Sequence, residues 1–203
     1  MIRHRILLAL AMTLPLAGCG SILKLPGGEP AAHYMLRPAP AREVEAPLPV
    51  VIMIAEPDAS AALDSNRVAL KPSDLELQYY AGARWVDRAT RMLQNHLIAA
   101  LSGTVKDVGT EAMTLAADYR VQTNLAAFEA VYDGNKIPTV RVVLEAKLFS
   151  RTPLALRERR TFRAEVAAAS DKQAAIINAF DRATAEVTNE FVDWVLAGVK
   201  ERR

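Results

Sequence analysis

The chain has 203 residues, of which 51% are hydrophobic, 24% charged and 6% aromatic, and its formal net charge is +2. Such a balance supplies the core of one domain, and the small charge excludes a general nucleic-acid surface, which needs concentrated basic residues. The single cysteine excludes an internal disulfide, so ordinary packing must hold the fold.

Arg3 and Arg5 precede an uncharged run over residues 6–18. The run is shorter than the roughly 20 residues needed to cross a bilayer as a helix. A basic start, a short apolar stretch and small residues describe a secretory leader. Leu16-Ala17-Gly18-Cys19 resembles a bacterial lipobox. That resemblance implies a signal peptide over 1–18, acylation of Cys19 and a tether over 19–32. Each buried methylene contributes about 0.8 kcal/mol, so one chain holds marginally and two or more hold firmly. Gly20 stands where lipoproteins kept at the inner membrane often carry Asp, which implies the periplasmic face of the outer membrane.

The tether contains Pro26-Gly27-Gly28 and Pro30 and has no periodicity. Residues 33–36 read as a short strand ended by Pro38, and a Pro-rich loop leads to the apolar run 50–55, which fits a central strand covered on both faces. A polar loop over 58–66 follows, then a strand over 75–79 with period-two alternation. Ala81-Gly82-Ala83 reads as a turn into a helix over 85–101, with Trp85, Ala89, Met92, Leu93, Leu97 and Leu101 on one face and Arg84, Arg88, Arg91 and Gln94 on the other. Ser102-Gly103 stops it. Residues 105–108 are a short strand, and 118–132 a long one. Asp133-Gly134-Asn135 suits a tight hairpin returning over 137–149. A turn at Arg151-Thr152-Pro153 introduces another strand over 156–166. Ser170 with Gln173 forms a capping-box signature for a closing helix, whose stripe is Ile176, Ile177, Phe180, Thr184, Val187, Phe191, Trp194 and Val195. The expected architecture is α+β, a mixed and largely antiparallel sheet with two amphipathic helices on one face, forming a single domain over 33–203.

The lipobox, the Tyr34-Met35-Leu36 strand, the segment from Leu77-Gln78-Tyr79-Tyr80 to Arg84-Trp85 and the closing helix occur in an order that resembles the auxiliary lipoproteins of bacterial ABC-type transport systems, a group that includes the PqiC lipoproteins. The resemblance spans nearly all of the mature chain. It implies a non-enzymatic component working beside MCE-type proteins and ABC transporters that move phospholipid or other hydrophobic molecules between the two membranes.

No catalytic constellation accompanies these elements. His4 lies in the leader, and His33 and His96 have no second ligand at metal spacing. There is no G-x-S-x-G elbow and no Gly-rich phosphate loop. Asp118, Glu129 and Glu145 read as the wet side of strands, and the Arg157-Glu158-Arg159-Arg160 cluster reads as a solvated strand face. No cofactor or metal is expected. Tyr79 and Trp85 suit the core, as do Phe191 and Trp194. The functional alternative places Tyr80, Arg84 and Trp85 on an exposed docking edge, because aromatics and Arg anchor interfaces. Three readings stay open: a tethered docking module, a carrier that takes up lipid itself, and a structural envelope lipoprotein without a transporter. A homo-oligomer is compatible with each.

Overall fold

The computed structural model describes residues 30–200, except 41, 43, 114 and 115. The expected leader, Cys19 and the tether up to residue 29 lie outside the described residues, as do residues 201–203. Ala31–Arg203 forms one compact unit. Its elements are β1 (Ala32–Tyr34), β2 (Leu48–Ile54), β3 (Asp58–Ala59), β4 (Arg67–Ser73), β5 (Glu76–Trp85), α1 (Ala89–Leu101), β6 (Val105–Gly109), β7 (Tyr119–Val131), β8 (Thr139–Ser150), β9 (Ala155–Ala167) and α2 (Gln173–Lys200).

Strand β7 is the spine of this sheet. Along one edge it pairs antiparallel with β8, from Tyr119 opposite Ser150 to Val131 opposite Thr139. Its other edge is shared by three strands laid end to end and parallel to it. They are β2 at Ile52 to Ile54, β3 at Asp58 and Ala59, and β4 at Ala69 to Lys71. From there β6 extends the sheet beyond β2, while β5 and β1 extend it beyond β4. On the far side β8 pairs with β9. The parallel pairings are short, and the long strands are joined antiparallel. The fold is therefore an α+β domain with a mixed sheet and two helices.

The alternation rule explains which side chains are buried. In β8, Val140, Val142, Leu144, Ala146 and Leu148 point to the helices, and in β9 Phe162, Ala164 and Val166 do so. In β7 the phase changes partway. Leu125 opposes Leu144 but Ala127 opposes Val143, so Ala126 is an extra, bulged residue. Before it the odd-numbered Val121 and Leu125 face the core, and after it the even-numbered Phe128 and Ala130 do. Without the bulge Phe128 would point to solvent. Its ring instead lies 5.4 Å from Trp85 and 4.9 Å from Phe180, centroid to centroid, and Trp85 and Phe180 meet edge-to-face at 5.3 Å. A second aromatic group, Phe162, Phe191 and Trp194, joins β9 to α2.

Helix α2 carries the expected stripe, with Ile176, Phe180, Thr184, Val187, Phe191, Trp194 and Val195 buried and Ile177 half-buried. Its opposite side has a use that charge pattern alone does not reveal. Asp181 accepts from the Arg37 backbone N–H at 2.7 Å and from Arg37 Nε at 2.6 Å, and Asp193 with the Asn189 carbonyl holds Arg42. The Pro-rich segment after β1 is thereby clamped along α2.

Several boundaries differ from those expected. Residues 81–83 are not a turn; they continue β5 through an irregularity in which it carries extra residues relative to β4. Trp85 closes the strand, and α1 begins only at Ala89. Positions 83, 85, 89 and 92 satisfy a period of two at one end and a helical period at the other, so the apolar spacing fits both. Gln94 is buried rather than on the wet face, donating from Nε2 to the Ile54 carbonyl at 3.0 Å. β4 and the two-residue β3 lie in stretches without a clear pattern, β4 running into Pro72. Ser170 Oγ accepts from the Lys172 N–H at 3.3 Å rather than from that of Gln173, and the helix begins only at Gln173, so the expected capping box does not form. The hairpin residues behave as their types dictate, Asp133 and Gly134 adopting φ of 44° and 74°.

Truncating the shared ring of the first aromatic group tests this packing. Phe180→Ala removes contacts with Trp85 and Phe128 at a fully buried site, and a loss of about 3–5 kcal/mol is expected. Urea unfolding followed by tryptophan fluorescence measures it.

Candidate functional site

The three residues expected on a docking edge take three different environments. Trp85 is fully buried between Phe128 and Phe180, and cannot meet a partner while the domain is folded. That corrects the exposed-edge reading for this residue: β5 turns Ala83 and Trp85 toward the helices. Tyr80 is half-buried, and its hydroxyl bonds the Tyr132 hydroxyl at 2.8 Å, tying β5 to the end of β7. Burial, and secondarily that bond, raise the Tyr80 phenol far above its ordinary value, so it stays neutral. Arg84 alone keeps a partly exposed cationic head.

Arg84 points to the face of the sheet that carries no helix, because its neighbours Ala83 and Trp85 point the other way. His33 of β1 and Arg67 of β4 sit directly opposite it on either side. Three basic residues therefore cross the sheet in one row, which begins on β1, the first strand of the domain. The Arg67 guanidinium stacks 3.4 Å over the Tyr79 ring, and the Tyr79 hydroxyl donates to the Ala62 carbonyl at 3.2 Å. Tyr79 is thus a half-buried support for Arg67. Sequence reasoning found Arg84 but missed Arg67 and His33 as its neighbours, since β4 went unassigned and register is a long-range property.

The helix-free face continues across β7, β8 and β9 as cross-strand rows. Glu129, Arg141 and Glu165 form one row, Asn124, Glu145 and Thr161 another, and Gln122, Lys147 and Arg159 a third. Arg141 Nε donates to Glu165 at 2.8 Å and Asn124 Nδ2 to Glu145 at 3.2 Å. The third row borders a shallow cavity of about 370 Å³ that also reaches Asp58. Asp118, expected on a wet strand face, accepts from the Val51 N–H at 2.8 Å and serves the start of the β2–β7 pairing.

Among the described residues no group of His, Cys, Asp and Glu is arranged to hold a metal ion. Two buried titratable groups have shifted affinities. Burial raises the Glu129 carboxyl, against the opposing pull of Lys71 and Arg141. His96, expected as a partly buried helix residue with a satisfied hydrogen bond, is buried and bonded to the Arg37 backbone, while its Nε2 lacks a partner. Burial lowers its affinity for a proton, outweighing Asp181 and the Arg37 bond. Its folded pKa is depressed below the ordinary 6.5, so between these values the unfolded chain binds more protons. The contribution is fully present above 6.5 and is lost as pH falls through that window. Unfolding free energy should decline on acidification below about 6.5, and His96→Gln should flatten that decline in urea titrations across pH.

None of the curated proteins compared matches the chain. A crystal structure of protein XCC0632 from Xanthomonas campestris, described as a DUF330 protein, is similar at 29% identity with a TM-score of 0.78, covering 84% of this chain and 98% of that one. A second solved structure, of an uncharacterized protein, shares the fold at 18% identity with a TM-score of 0.64, covering 82% and 99%. The model of the ABC-type transport auxiliary lipoprotein component family matches residues 34–192, the span from the end of β1 well into α2. The chain belongs to the ABC-type transport auxiliary lipoprotein component family.

Proposed function

We propose that the chain is a non-enzymatic docking module, anchored by an acylated Cys19 to the periplasmic face of the outer membrane. In this reading it serves an ABC transporter with an MCE-type partner that moves phospholipid or other hydrophobic molecules between membranes. The observation that carries it is the family match across residues 34–192, which takes in almost the whole folded unit. The lipobox-like Leu16-Ala17-Gly18-Cys19 supports the anchor, with a tether of a dozen residues that reaches about 30–40 Å when extended. Confinement of this kind raises the effective concentration of a domain beside its partner without any new contact.

Of the residues read as a docking edge, Arg84 is the one whose surroundings suit that role. It is flanked in register by His33 and Arg67, at the edge of the sheet formed by β1. Trp85 and Tyr80 act behind it, as core and as a brace between strands.

Recovery of transport components from detergent-solubilised membranes tests the reading. Wild-type protein should bring down an MCE-type protein or an ABC transporter subunit, and Arg84→Glu should recover several-fold less while unfolding at the same urea concentration. Equal recovery by both rejects the Arg84 contact. No recovery by the wild type rejects the docking reading.

A further inference from the structure

A sheet's outermost strands carry backbone N–H and C=O groups that no neighbouring strand satisfies, and natural proteins shorten, cover or charge them. Two lateral edges here are short, β1 with three residues and β6 with five. β9 is different. It runs for 13 residues without a proline, and pairs only with β8. It also lies across the sheet from β1, beyond β5, β4, β7 and β8, about 24 Å away at the usual strand spacing.

The charges along β9 are unbalanced. Arg157, Arg159, Arg160 and Arg163 stand against Glu158 and Glu165. Glu165 is engaged by Arg141, and Arg160 lies 3.7 Å from Glu190 with its guanidinium over Phe162. Arg157, Arg159 and Arg163 are exposed and make no ion pair among the described residues. Arg159 moreover sits directly opposite Lys147 of β8. Like charges facing each other across a ladder cost stability, and here Asp58 and Glu145 only border the same cavity. Where the strand begins, Leu154 and Leu156 are 81% and 49% exposed.

We propose that the free edge of β9 receives an acidic, extended segment of a partner polypeptide as an added strand. Its backbone completes the β9 ladder, and its carboxylates meet Arg157, Arg159, Arg163 and Lys147. This rests on the docking reading and names the chemistry of the partner. A second copy of the chain is a poor occupant, because apposing two such edges would bring Arg against Arg. A lipid headgroup offers the negative charge but no ladder.

The test uses the full chain in detergent micelles and a fluorescent peptide of about ten residues alternating Glu and Val, the length of an ordinary added strand. Anisotropy should show saturable binding that weakens with salt. Arg157→Glu/Arg159→Glu/Arg163→Glu should weaken it at least about tenfold, and so should methylation of alternate backbone nitrogens of the peptide, which keeps every charge. Absence of saturable binding, or equal binding of the methylated peptide, overturns the proposal. Binding of the arginine edge to phosphatidylglycerol vesicles in place of the peptide overturns it in favour of a lipid surface, and self-association lost in the triple variant does so in favour of a second copy. Should wild-type protein recover transport components and the triple variant recover them equally, this edge is wrong and the docking reading stands. Should the wild type recover none while binding the peptide, the reverse holds.

Discussion

Everything in this domain depends on β7 being paired along both edges and packed beneath α2. No other strand touches so many partners: β8 runs its full length on one side, and β2, β3 and β4 divide the other. Such a strand needs mostly apolar residues on its helix-facing side, and its sequence supplies them, Thr123 excepted, only because Ala126 bulges out and shifts the phase by one. The bulge brings Phe128 beneath Phe180 and against Trp85. One irregular residue thus couples the spine, β5 and the closing helix in a single aromatic contact. Each buried ring contributes on the order of a few kcal/mol, a large share of a stability that is commonly about 5–15 kcal/mol.

The same arrangement leaves the surfaces proposed for docking free of the helices. Both helices cover one face, and the other presents exposed charged side chains such as Arg159 and Arg163, while Glu129 is buried within it. Arg84 with His33 and Arg67 marks the edge where the chain enters, and Arg159 with Lys147 lies toward the opposite edge. In the proposed reading, the end that follows the anchor and the opposite edge belong to one sheet. The rings of Trp85, Phe128, Phe180, Phe162, Phe191 and Trp194 are spent on packing.

Much of this was legible along the chain. The long strands β7, β8 and β9 and helix α2 announce themselves because their periodicity persists over many residues, and the hairpin at Asp133-Gly134 needs its residue types for φ above zero. Local signals failed where one short segment satisfied two patterns. Trp85 fits the last position of a strand and the first of a helix equally well, and only pairing with β1 and β4 decides between them. β4 was hidden because its residues do not alternate between buried and exposed and because it contains Pro72. The roles of Asp181 and Asp193 were hidden for another reason: their partners, Arg37 and Arg42, are about 150 residues away along the chain, and sequence pattern cannot see so distant a clamp. The candidate site suffers most from this. A residue such as Arg84 can be picked by type, whereas its row exists only once the register of three strands is set.

Attachment to a membrane through an acylated Cys19 is the central proposal for this domain. Intact-mass measurement of the protein purified from bacterial membranes addresses that most directly. The expected polypeptide begins at Cys19 and carries the added mass of its acyl groups. A mature polypeptide that begins elsewhere, or one that begins at Cys19 without lipid, would contradict it.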